Sequence, residues 1–159
     1  IYLFHLRSID VLFLLKIRNY IMQMPHSIFK VMSVEIRQHS YWFITTLESL
    51  TPVVSTVDNR YWVPEDGINL LMKRIHDNAV KKYKTFFGEM EEPKENFIES
   101  IQILNEKPIK VKYKKASLLG HKVCLSVKSD EVSQKLAFTI MGCGLLEKNS
   151  IGFGYCRAK

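Results

Sequence analysis

Between residues 42 and 157 the spacing of apolar side chains switches from two to about 3.6 and back, twice over, and this succession limits the chain to a few mixed folds. Ile68, Leu71, Met72, Ile75, Ala79 and Tyr83 recur at helical spacing, with Asp66 placed as an N-cap, Gly88 just past the end, and Arg74, Asp77, Lys81 and Lys84 on the opposite side. A strand over 42–47 precedes this helix and runs into Thr51-Pro52-Val53-Val54. After the charged loop 89–95, residues 97–104 read as a strand, and Ile109, Val111 and Tyr113 then alternate with Lys110, Lys112 and Lys114. A turn near Gly120 is expected to lead into Val123, Leu125 and Val127. Asp130 then opens a second helix through Leu136 and Ile140, and residues 152–157 close as a strand.

The order β-α-β-β-α-β is that of the ferredoxin-like fold, which RNA-recognition modules share. Residues 2–6 read as a buried strand, Ser8 and Asp10 as caps of a helix carrying Ile9, Leu12, Phe13, Ile17 and Tyr20, and 28–37 as a strand beyond Pro25. The expected architecture is therefore α+β, with two tandem ferredoxin-like units. Residues 1–39 would supply the β-α-β end of an incomplete first unit, and 40–159 the second. The opening Ile1-Tyr2-Leu3-Phe4, apolar and without an initiator Met, reads as the interior of a longer protein.

Twenty-three Lys and Arg stand against 16 Asp and Glu in 159 residues, a formal charge of +7 that suits an anionic partner. Cys124, Cys143 and Cys156 are odd in number and lack metal-ligand spacing, so neither a disulfide framework nor a metal site is expected, and a reducing cytoplasm fits. The apolar run 11–15 is broken by Lys16 and Arg18, far short of the roughly 20 residues of a membrane span.

The segment from Gly144 to Gly154 reads GLLEKNSIGFG. It resembles the glycine-rich loop near the C-terminus of CRISPR repeat-processing endoribonucleases, usually GLGEKNSLGFG, and agrees with it at nine of eleven positions. Leu50-Thr51-Pro52-Val53-Val54, Tyr61, Pro64 and the stretch Asn78 to Tyr83 are similar to that family in the same order. Glycines allow backbone N–H groups close to a phosphate, and Lys148, Asn149 and Ser150 add a charge and neutral donors. The resemblance implies RNA-backbone contacts for this loop, with Gly144, Lys148, Asn149, Ser150, Gly152 and Gly154 as site residues. Leu146 departs from the pattern, standing where the family has a glycine. If that position needs a positive φ, the leucine costs about 1–2 kcal/mol or displaces the backbone, and weaker binding by the loop is expected.

Seven lysines and no acid lie between Lys107 and Lys128, and Lys110, Lys112 and Lys114 share one side of a strand. This is either a phosphate-binding surface or an edge protected against aggregation. Tyr41, Trp42, Phe43, Tyr61 and Trp62 are candidates for base stacking, although three aromatics in succession cannot all face one way. The family cuts RNA without metal, by activating a 2′-hydroxyl against the adjacent phosphate, and carries its catalytic groups near the first helix of its first unit. No catalytic residue is carried over to this chain. Of the five histidines, His26 and His121 are the ones most exposed to meeting RNA by sequence. The resemblance implies CRISPR repeat RNA as partner, with other Cas subunits of a guide-RNA complex beside it, no cofactor, and products ending in a 2′,3′-cyclic phosphate and a 5′-hydroxyl. The alternative is a subunit that binds repeat RNA without cutting it.

Overall fold

A computed structural model describes residues 2–24, 30–39, 43–91 and 93–159. The chain divides into two compact units, Ile1–Trp42 and Phe43–Lys159. In the first, helix α1 spans Val11–Gln23, and the Asp10 carboxylate accepts the Phe13 N–H at 3.0 Å, as the sequence leads one to expect of that cap. The flanking segments 2–9 and 30–39 carry no strand, contrary to the reading of 2–6 and 28–37; residues 28 and 29 lie outside the described residues. The physical reason is that a helix closes its hydrogen bonds within itself, whereas a strand needs a neighbour. The two parallel strands of a split β-α-β unit have another strand between them, and residues 2–39 show none among those described.

The second unit contains β1 (Thr46–Ser49), β2 (Thr56–Val57), β3 (Arg60–Tyr61), α2 (Ile68–Phe87), β4 (Ile98–Ile103), β5 (Ile109–Tyr113), β6 (Ala116–Gly120), β7 (Val123–Val127), α3 (Glu131–Cys143) and β8 (Cys156–Ala158). Its main sheet is antiparallel in the order β4-β7-β1-β8. With β1, β4, β7 and β8 as the four strands and α2 and α3 as the crossovers, this is the ferredoxin-like order expected. Alternation sends Leu47, Val123, Leu125 and Val127 into the core with Ile75, Leu136 and Ile140, each buried side chain worth about 1.5–3 kcal/mol. Thr46, Cys124 and Ser126 lie on the other side of the sheet, half-exposed. Asp130 caps α3 as expected, accepting from the Ser133 N–H at 2.9 Å and its hydroxyl at 2.6 Å.

Several local readings change. Asp66 ends a short 3-10 turn, Pro64–Asp66, where its carboxylate binds the Arg60 guanidinium and the Val63 N–H; Gly67, at φ +87°, caps α2 instead. Arg60 draws the Asp66 carboxyl down to about 2, so this acid is committed to closing the turn. The chain reverses after β5 at Lys114–Lys115 rather than near Gly120, because Ala116–Gly120 pairs with the whole of β5. Gly120 serves a different end. A Cβ there would stand 2.5 Å from the Val53 carbonyl, and only glycine lets His121 pair with Val53 beside it.

Candidate nucleic-acid interface

The segment after α3 folds as a loop closed on its own side chains. Leu145 N–H donates to the Gly154 carbonyl at 2.8 Å, drawing the two ends together. Inside the ring, the Asn149 amide donates from Nδ2 to the Leu145 and Phe153 carbonyls, both at 2.9 Å. From below, Lys82 of α2 inserts its ammonium among three oxygens: Gly144 O at 2.7 Å, Leu146 O at 2.9 Å and Asn149 Oδ1 at 2.7 Å. Burial pushes the Lys82 amine down to about 8, and burial pushes the neighbouring Cys143 thiol up. Glu147 is held separately, accepting from Thr56 N at 3.1 Å, Thr56 Oγ1 at 2.9 Å and Arg74 at 3.5 Å.

The glycines follow from this packing. Gly144 (φ +83°) and Gly154 (φ +67°) are buried against the Asn149 amide, and a Cβ on Gly154 would fall 2.1 Å from the Leu145 carbonyl. Gly152 (φ +92°) has open space around it. Leu146, at the family's glycine position, does adopt a positive φ of 52°, and its side chain is only 3% exposed, packed in the main core. The leucine thus has the strained backbone foreseen for it, together with a burial that the sequence did not disclose.

Of the residues singled out by sequence, Lys148 and Ser150 are exposed at the top of the loop, while Asn149 is turned inward. Lys148 sits in the left-handed region at φ +63° between the two held residues Glu147 and Asn149. Lys110 and Lys112 are exposed on β5. Val111 and Leu118, on the opposite side of the β5–β6 hairpin, pack with Val54 and with Phe153 of the loop. The hairpin is therefore seated on the loop with these two lysines on its outer side. Lys114 leaves the strand at the reversal, φ +53°, its amine 5.5 Å over the Tyr113 ring. Segment 51–56 joins the parts: Gly154 N–H donates to Pro52 O, Val53 bridges His121 and Val54 bridges Glu147.

Trp62 is core, its indole N–H donating to Gly67 O at 3.2 Å, and Tyr61 packs beside Val54; Phe43 is exposed, and Tyr41 and Trp42 lie outside the described residues. His121 is 2% exposed, edge-on to Trp62 and beside Asn105, so it does not face solvent amid the lysines. His76 stacks on Phe97 and accepts its N–H at 3.2 Å. His26 lies outside the described residues. Sequence pattern alone does not mark Lys82, Arg74 and Glu147 as parts of the site. The signal for Lys82 is that it falls three residues after Ala79 and seven after Ile75, at the border of the apolar stripe of the helix.

Residues 37–158 match the family model described as CRISPR associated protein Cas6, C-terminal. The chain belongs to the Cas6 family. It is 36% identical over 104 residues to "CRISPR-associated endoribonuclease Cas6 2" of Methanocaldococcus jannaschii, a match over 57% of this chain and 42% of that protein. The chain thus spans about two fifths of the curated relative. Two solved structures share the fold. One, described as "An RAMP protein binding different RNA substrates", superposes with a TM-score of 0.64 at 21% identity, over 96% of this chain and 66% of that one. The other, described as "Characterization of a Cas6-related gene from Pyrococcus furiosus", gives 0.53 at 16%, over 78% and 51%. No helix among the described residues is long and apolar enough to cross a membrane.

Proposed function

We propose that this Cas6 chain binds CRISPR repeat RNA through the top of its glycine-rich loop and the basic hairpin seated beside it. The observation that carries this reading is the division of labour within the loop. Asn149, Glu147 and the buried glycines are consumed in holding its shape, while Lys148 and Ser150 face solvent, and Lys148 makes no ion pair among the described residues. A cation displayed on a fixed backbone suits a phosphate, because little freedom remains to be lost on binding. Lys110, Lys112 and Lys114 extend the positive surface by charge rather than by shape.

In the whole protein, the bound precursor RNA is cut within the repeat by attack of a 2′-hydroxyl on the adjacent phosphate, without metal, leaving a 2′,3′-cyclic phosphate and a 5′-hydroxyl. Both histidines of residues 43–159 are packed into structure, so this unit is assigned to holding RNA and proton transfer to groups elsewhere. The same observation favours the second reading, a repeat-binding subunit that does not cut. Other Cas subunits would meet such a protein in a guide-RNA complex.

The test is titration of labelled repeat RNA with the wild type and Lys148→Ala, followed by a denaturing gel. Binding weakened by about 1–3 kcal/mol is expected for a lost phosphate contact. An unchanged dissociation constant at low salt removes Lys148 from the site, and binding without cut product when the whole protein is assayed selects the second reading.

A further inference from the structure

Beside the buried stripe of α2, formed by Leu71, Ile75 and Ala79, a half-buried row carries Arg74, Asn78 and Lys82 at intervals of four, one above the next on the helix surface. The outer two reach opposite ends of the loop's exposed tip. Arg74 donates from Nε to Ser55 Oγ at 3.0 Å and approaches Glu147 at 3.5 Å, so it holds the residue before Lys148. Lys82 holds the residue after it, through Asn149 Oδ1, and also the carbonyls of Gly144 and Leu146. A primary ammonium has three N–H bonds to give, and all three are directed to loop oxygens. Among the described residues no carboxylate shares that site; the titratable groups that bear on the amine there are the Cys143 and Cys156 thiols, from α3 and β8.

We infer that Lys82 is a positioning residue for RNA binding: its ammonium acts as a tethered cation that gathers three oxygens and so fixes the backbone on which Lys148 is displayed. The inference rests on the reading of the loop as an RNA site. Lys82 itself, half-buried beneath the loop with its donors used, does not touch the RNA. Three oxygens converging on one cation repel one another when it is removed, and Leu146, at φ +52°, is then free to leave the left-handed region. Lys148 would lose its orientation although its own side chain is intact.

The experiment measures repeat-RNA affinity for the wild type, Lys148→Ala, Lys82→Ala and the double variant, each also with methylammonium chloride or matched sodium chloride. Lys82→Ala is expected to weaken binding about tenfold, the scale of a lost charge-assisted network. In the Lys148→Ala background the same change should have little further effect, because the two act as one unit. Methylammonium, but not sodium at equal ionic strength, should restore part of the affinity of Lys82→Ala by filling the vacated position. If Lys148→Ala weakens binding while Lys82→Ala does not, or if the two effects add fully, the positioning role is overturned and the RNA site stands. If neither variant changes affinity, the RNA site falls with it. A second measurement needs no variant: in the wild type, amide resonances of Lys148 to Ser150 should shift on RNA binding while those of Gly144 to Leu146 stay in place. Shifts throughout 144–154 would mean that RNA, not Lys82, organises the loop.

Discussion

The Lys82 ammonium lies 2.7 Å from Asn149 Oδ1, so a residue in the long helix and the central residue of the glycine-rich loop hold one another in place across 67 positions of sequence. Asn149, one of the residues taken by sequence for RNA contact, spends its amide on this bond and on two loop carbonyls. It prepares the surface that Lys148 presents.

Leu146→Gly sets two effects against each other. Glycine relieves the left-handed strain, worth about 1–2 kcal/mol, but deletes a buried leucine side chain, which costs about 3–5 kcal/mol with the cavity it leaves. Burial wins, and denaturant unfolding should show a net loss of about 1–4 kcal/mol. A variant as stable as the wild type would mean that the core closes without the leucine.

Gly154→Ala and Gly152→Ala separate close approach from backbone freedom. Both glycines have positive φ, yet only at Gly154 does a Cβ meet a carbonyl, at 2.1 Å, and the Asn149 amide, at 2.8 Å. Gly152→Ala should cost about 1 kcal/mol of strain, and Gly154→Ala more than about 3 kcal/mol because the ring must open. Equal losses for the two would contradict the packing of the loop round Asn149.

Lys82 gives opposite pH trends to affinity and stability. Its folded value of about 8 lies below the ordinary 10.5, so between these the unfolded chain binds the extra proton, and this group's contribution to stability rises with pH across that window. A neutral amine, however, has two N–H bonds for three oxygens. The Cys143 thiol facing it is itself pushed up by burial and stays protonated as the window opens. Affinity for a 2′-deoxy-blocked repeat should therefore fall from pH 7 to pH 9 in the wild type, by more than in Lys82→Met, with no matching drop in unfolding free energy. Parallel pH profiles for the two proteins would exclude the ammonium as the titrating group.

The hairpin lysines act by charge, so their loss should register in salt dependence. Lys110→Gln, Lys112→Gln and Lys114→Asn together, the asparagine chosen because position 114 has φ +53°, should flatten log affinity against log salt by up to about 2–3 units, near 0.7–0.9 per contact. An unaltered slope would leave these lysines with the single task of protecting an exposed strand.

Local pattern determined much of this protein. The strands Ile109–Tyr113 and Val123–Val127, the cap at Asp130, the end of α2 at Gly88 and the ferredoxin-like order all follow from periods of two and 3.6 and from capping chemistry, which act within a few residues. The eleven-residue glycine-rich segment likewise marked the family before any contact was seen. Tertiary structure decided what depends on distant partners. Residues 2–6 have strand composition but no strand beside them among the described residues, and a strand without a ladder does not form. His121 stands among lysines in sequence, yet Val53, Trp62 and Asn105 enclose it. Asn149 and Lys148 are neighbours of similar polarity, and sequence alone could not say that one faces inward and the other outward. That choice belongs to Lys82 and Arg74, whose long side chains reach the loop from a helix more than sixty residues earlier, because buried carbonyls must find donors wherever the fold can supply them.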